Sequence, residues 1–238
     1  MLGYKGFKKD LTCLQFQYEV GKTYTMDPLD IELCSTGFHF CQFPLDVFNY
    51  YNDEDNLYAV IKAEGHILHA YDKSVTNQLT IIELITKEEL IKKQTGLFIR
   101  SDGTKEWYEN GNKHRLDGPA IEYFNGDKLW YQNGHLHRLN GPAKKYVSGY
   151  KEWYQNGKLH RLDGPAQEYS SGTKKWYQNG QRHRLDGPAI ECKNGTKYWY
   201  QNGLKHRLDG PAIERVNGDK KWYQKGKFRL EWTCYRGS

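Results

Sequence analysis

At 238 residues the chain has room for one large domain or two modest ones. Only 37% of it is hydrophobic, against 24 Gly, 19 Tyr and 7 Trp, which argues against a helical bundle and suits half-exposed sheet; no apolar run approaches the ~18 residues of a membrane span. The net charge of +6 is unevenly spread, since residues 1–93 carry 9 Lys against 14 Asp/Glu (−5) and the remainder 26 Lys/Arg against 15 Asp/Glu (+11), so two domains are expected, 1–95 and 96–238.

The first ten residues hold no apolar signal core, so export by that route is not indicated and a cytoplasmic location is expected. A strand is predicted at 2–7, a strand pair around 16–24 and a strand at 37–41. Pro44 opens a helix at its first turn, running to Tyr50 or Tyr51. Strands at 57–64 and 79–84 and a short polar helix at 87–93 complete a small α+β domain. The five cysteines, Cys13, Cys34, Cys41, Cys192 and Cys234, are odd in number and lack Cys-x-x-Cys spacing. Free thiols are therefore expected, and no paired Cys/His motif signals a metal.

Two resemblances attach to this domain. Gly3-Tyr4-Lys5-Gly6-Phe7, the stretch 16–24, Gly37-Phe38-His39-Phe40-Cys41, the stretch 44–51 and Asp72-Lys73-Ser74-Val75-Thr76 resemble an N-terminal domain of phage and bacterial proteins of unknown function. Separately, Tyr4-Lys5-Gly6 on a first strand and Gly37-Phe38-His39-Phe40 before a helix ending in Asn49-Tyr50 are similar to segments of ADP-ribosyltransferases. That likeness implies an NAD site with Lys5, His39 and Asn49 as its residues. The chain departs from the family in having Lys5 for Arg or His, His39 for Tyr, and Gln78 near the place of the catalytic Glu, whose charge Gln cannot supply.

Beyond residue 96 the chain repeats. Trp107, Trp130, Trp153, Trp176, Trp199 and Trp222 are each 23 residues apart, as are His114, His137, His160, His183 and His206 and the prolines from Pro119 to Pro211. A fixed period of this size marks stacked repeats. Asn-Gly pairs such as Asn156-Gly157 suit the positive φ of a two-residue type I′ hairpin. A second turn signal about 15 residues later, such as Ser171-Gly172, gives two strands per unit. The fold expected is an α+β domain followed by a mainly antiparallel β-hairpin array, an elongated single-layer meander or solenoid of five full repeats and a terminal cap. The unit Trp-Tyr-Gln-Asn-Gly-x-x-His-Arg-x-Asp-Gly-Pro-Ala resembles the MORN repeat, with Arg after the His where that repeat has Gly. It is similar to variants found in phage, giant-virus and bacterial proteins.

Stacking turns each position into a row. Arg115, Arg138, Arg161, Arg184 and Arg207 stand beside Asp117, Asn140, Asp163, Asp186 and Asp209. Each Arg either pairs with the Asp two residues on and fixes the turn, or joins Trp130, Trp153, Trp176 and Trp199 in a basic aromatic face for an anionic partner. The His row is expected to pack structurally. The leading functional expectation is a binding or adaptor protein whose repeat sheet engages a protein partner, without cofactor. The alternatives are an NAD-utilising transferase targeted by its repeats, and nucleic-acid binding along the Arg row. The edge near residues 222–232 is a candidate homodimer contact.

Overall fold

The computed structural model describes residues 1–14 and 16–229. The chain divides into two compact units between His114 and Arg115, and the architecture is mostly β: a small region of sheets with one helix, then a long, open antiparallel hairpin meander. No helix among the described residues is long and apolar enough to cross a membrane.

The first unit contains β1 (Leu2–Phe7), β2 (Thr12–Cys13), β3 (Phe16–Gln17), β4 (Thr23–Thr25), β5 (Phe38–Phe40), β6 (Leu57–His69), β7 (Ser74–Ile85), α1 (Lys87–Lys93), β8 (Gly96–Ile99), β9 (Lys105–Glu109) and β10 (Asn112–Lys113). The main sheet runs β1-β6-β7-β4, with β5 also on β7. β4 pairs with 78–80 of β7 and β5 with 74–76, so the two share one edge end to end. Phe7, Tyr18, Tyr24, Phe38, Phe40, Ile61, Leu79 and Ile81 form the buried core on one face.

Three local details differ from the sequence expectation. The segment 16–24 is not a hairpin: Phe16 turns back on Cys13, whereas Tyr24 pairs with Leu79. Its rings hold it together instead, with Tyr18 and Tyr24 centroids 5.1 Å apart. The segment opened by Pro44 is a 3-10 helix, Pro44–Asn49. β6 and β7 are also longer than expected, because Gly65 marks a bulge rather than a strand end. The register shifts between Glu64 and Ile67, Gly65 adopts φ +72°, and the Asn77 side chain accepts the His66 N–H at 2.6 Å.

α1 starts where Thr86 and Glu89 cap each other reciprocally. Beyond it, Arg100 after β8 reaches back into the same unit. Its Nη1 donates to Asp46 Oδ2 at 2.5 Å and its Nε to Glu106 Oε2 at 2.9 Å, over the Phe43 ring at 4.5 Å. All three charged side chains are 10% exposed or less.

The second unit repeats one hairpin. In the repeat beginning at Lys151, the first strand is Lys151–Glu152 followed by Tyr154–Gln155, and the second is Lys158–Leu159 followed by Gln167–Glu168. Each strand is interrupted at one place, so the two strands expected per unit become four short pieces. Opposite Trp153, residues 161–165 loop out of the second strand. Trp153 N–H then bonds Ala166 O at 2.8 Å, and its carbonyl accepts the His160 N–H at 3.0 Å. Ala166 and its equivalents Ala143, Ala189 and Ala212 are fully buried. The Asn-Gly turn has the expected positive φ at both residues, +48° at Asn156 and +75° at Gly157. Repeats join through backbone bonds such as Arg138 N–H to Tyr154 O and Gly157 N–H to Leu136 O. The meander is described as far as Lys227–Arg229; the remainder of the 222–232 edge lies outside the described residues, as does Cys234.

Replacing Arg100 with Met leaves Asp46 buried without its cation and Glu106 with the Lys113 ammonium, at 3.4 Å, which is costlier than losing the pair outright. We expect a loss of about 3–5 kcal/mol in urea unfolding, with the Arg100→Met, Asp46→Asn, Glu106→Gln triple variant recovering part of it.

Candidate functional site

Lysine at position 5 breaks the alternation of β1. Residues two apart on a strand share a face, and Phe7 on that face belongs to the core. Lys5 is accordingly buried, at 4% exposure. Its Nζ donates to His39 O at 2.8 Å and Cys13 Sγ at 3.4 Å, and lies 5.4 Å from the centre of the Tyr18 ring. Among the described residues no carboxylate is ion-paired with it. Desolvation pulls its pKa below the ordinary lysine range, and the neighbouring Cys13 offsets part of that.

Glycine makes room for this arrangement. A Cβ on Gly6 would fall 2.3 Å from the Tyr51 ring, so only glycine lets that ring lie on the β1 backbone. The Tyr51 hydroxyl then meets Cys13 Sγ at 2.8 Å. Around these groups is a cavity of about 640 Å³, to which Tyr4, Lys8, His39, Cys41, Tyr50 and Lys73 also contribute. Burial pushes the Cys41 thiol up to about 12, helped by the charges of Asp46 and Asp72. His39 is held below the usual histidine value by burial and then by Lys5, and its Nε2 accepts the Cys34 N–H at 3.2 Å. Cys13, Cys34, Cys41 and Cys192 are free.

Of the three residues implied by the transferase likeness, Lys5 and His39 meet in this cavity. Asn49 does not line it and donates to Asp72 Oδ2 at 3.2 Å instead. Gln78 pairs with Thr25 and Glu64 within the sheet. No Asp or Glu is among the residues lining the cavity. Tyr51 and Lys73 fell within segments that resemble a domain of unknown function, which gave them no role, and Cys13 carried no motif.

In the second unit the arginines turn inward on their own repeats. Arg138, Arg161, Arg184 and Arg207 place their guanidinium carbons 3.9–4.1 Å from the ring centres of Trp130, Trp153, Trp176 and Trp199. Arg161 Nε donates to Asp163 Oδ1 at 2.9 Å, and its Nη1 to Pro165 O at 3.2 Å and Glu168 Oε1 at 3.1 Å. Arg184 and Arg207 repeat this set, and Arg115 Nε bonds Asp117 at 2.9 Å. Arg138 faces Asn140 and has no carboxylate ion pair among the described residues, keeping Trp130 and the Pro142 carbonyl. A Cβ on Gly164 would come 2.8 Å from Arg161 Cζ, which explains the glycine there.

The histidines link repeats. Asn156, Asn179 and Asn202 donate their backbone N–H groups to Nδ1 of His137, His160 and His183, each at 3.2 Å. Lys225 does the same for His206. Among the described residues no three His, Cys, Asp or Glu side chains gather as a metal site requires. What the array leaves outside is a different row: Leu116, Leu139, Leu162, Leu185 and Leu208, 69–76% exposed, each between the Arg and the Asp or Asn of its loop.

Residues 1–93 match the model of a family described as a domain of unknown function (DUF7666). No curated protein matches the chain.

Arginine stacked on indole and bonded to carboxylates should stabilise each repeat. We expect Arg161→Ala to cost about 2–4 kcal/mol, and Arg138→Ala about half of that or less for want of carboxylates, read by denaturant unfolding. An equal loss at both would show that the carboxylates contribute nothing. The Arg partners hold Asp117, Asp163, Asp186 and Asp209 below the ordinary aspartate value. A depressed folded-state value stabilises above the unfolded value and is lost as pH falls through the folded one. Stability attributable to these pairs should therefore be level from pH 7 to about 5 and decline below about pH 4, with Asp163→Asn flattening that decline.

Proposed function

We propose that the chain is a non-catalytic adaptor of phage, viral or bacterial type, acting in a cytoplasm, whose MORN-like array docks a protein partner along its leucine row. The observation that carries this reading is the contrast between what the array turns in and what it leaves out. Trp, Arg and His, the residues best suited to ligands, are committed to contacts within and between repeats. The leucines are exposed in every repeat, with nothing in the fold to explain them, and large exposed apolar rows mark interaction surfaces.

The row has a defined chemistry. Each repeat adds two strands to the meander, so successive leucines stand roughly 10 Å apart. Beside them Asp117, Asp163, Asp186 and Asp209 are 83–85% exposed at the side chain, each with one oxygen on its Arg. A matching partner presents aliphatic side chains at that spacing, flanked by Lys or Arg. An amphipathic helix with an aliphatic residue at every seventh position advances about 10.5 Å between them. Nucleic acid is less well served, because phosphate binding along the row would have to displace the carboxylates already on the guanidiniums.

The test is fluorescence anisotropy with two synthetic helical peptides carrying Leu at every seventh position, one with Lys beside each Leu and one with Glu. We expect the Lys peptide to bind at least tenfold more tightly, and Leu162→Asp with Leu185→Asp to lose at least tenfold while the thermal midpoint stays within a few degrees. Equal binding of both peptides, or no effect of the substitutions, overturns the assignment. So does a single-stranded oligonucleotide that binds more tightly than the Lys peptide.

A further inference from the structure

We propose that the cavity beside β1 is a binding site for a small organic anion, a carboxylate or phosphate ester on an apolar body of about one or two rings, with Lys5 as its counter-charge. A lysine at a core-facing position of a strand is unfavourable unless its charge is answered. Here the answer within the protein is partial: a carbonyl, a thiol and ring faces, with no carboxylate.

The rest of the lining completes the charge argument. Lys8 and Lys73 border the same cavity, and none of its lining residues is acidic. The three lysines give the wall itself one sign, with Asp46 and Asp72 acting on its Cys41 end from outside the lining, inside a unit whose first 93 residues carry a net −5. The positive lining is thus a local arrangement and not a general surface charge. The Ser35 hydroxyl lies on the wall and can donate to an anionic head group, whereas those of Thr12 and Tyr50 are already bonded to Asp10 and Asp72. The volume of about 640 Å³ falls in the range that holds drug-sized molecules. Phe40, Val47 and Leu14 supply apolar wall for the body of the ligand. The site is independent of the repeat array, so it stands or falls apart from the adaptor reading.

Two dyes of nearly the same size test it on the full chain: anionic anilinonaphthalene sulfonate and neutral N-phenylnaphthylamine. Both should brighten on binding the apolar wall, but only the sulfonate should depend on Lys5. We expect Lys5→Met, which keeps the length of the side chain, to weaken sulfonate binding at least tenfold and to change the neutral dye less than threefold. Lys73→Met should give a smaller loss of the same sign, and it remains informative if Lys5→Met does not fold. Competition by benzoate and by phenyl phosphate then separates a carboxylate site from a phosphate site. If neither dye binds, if Lys5→Met and Lys73→Met leave the sulfonate unaffected, or if they weaken both dyes equally, no anion site exists here.

Discussion

The array depends on one contact: a guanidinium lying on an indole, held there by its own loop. Five residues leave the second strand opposite each Trp and could point anywhere. They fold back because the Arg at the start of the loop finds the Trp face, the Pro carbonyl at the loop's end and carboxylates two and seven residues on. Cation–π and charge-assisted bonds reinforce one another where water is partly excluded, and the Arg161 side chain is only 21% exposed. The glycine before the proline follows from the same contact, since a side chain there would occupy the guanidinium's place. One interaction therefore ties Trp, Arg, Asp, Gly and Pro to one period.

The same contact shapes the surface. A repeat copies whatever it leaves exposed, so the residue between Arg and Asp becomes a row as regular as the Trp row beneath it. Leucine there contributes little to folding, because most of its area stays in water. A single exposed leucine is ordinary. Five at one spacing form a continuous apolar row. The internal variation at Arg138, with Asn140 and Lys145 in place of the acids, shows that the stack on Trp survives without carboxylates. The carboxylates therefore strengthen a geometry that the ring already sets.

How much was legible in the sequence differs between the units. In the array nearly everything is local, so Asn156-Gly157 could be read as a hairpin and Arg161 with Asp163 as a pair, because the turn chemistry and the partner lie within a few residues. The looped-out segment was legible only in part: Gly164-Pro165 could be read as a bend or the start of a strand, because Pro cannot donate to a central ladder, but not as the end of a loop that leaves and rejoins one strand opposite Trp153. In the first unit the decisive contacts are distant. Gly65 looked like a strand end because the residue that fills its bulge, Asn77, is twelve positions away. Arg100 meets Asp46 across 54 residues, and Cys13 meets Tyr51 across 38; neither pair has a spacing that a single sequence reveals. Lys5 and His39 were marked by resemblance, and in the structure a backbone carbonyl joins them.

Local choices in a well-folded chain agree with one another, and the exceptions tend to sit at functional positions. By that criterion the two units differ. In the array the ionisable residues that looked like exceptions in the sequence turn out to be consistent, each meeting the demand of a neighbour. In the first unit Lys5 stays inconsistent after its neighbours are known. Its strand asks for an apolar side chain, its carbonyl and thiol partners leave its charge unmatched, and apolar residues of similar length would fill the same space without the desolvation cost. Phe7, two residues along the same face, shows that β1 can place a large apolar group there. Among the groups that line the cavity Lys5 is the one whose presence packing does not explain, and an anion held against it is the simplest completion of its chemistry.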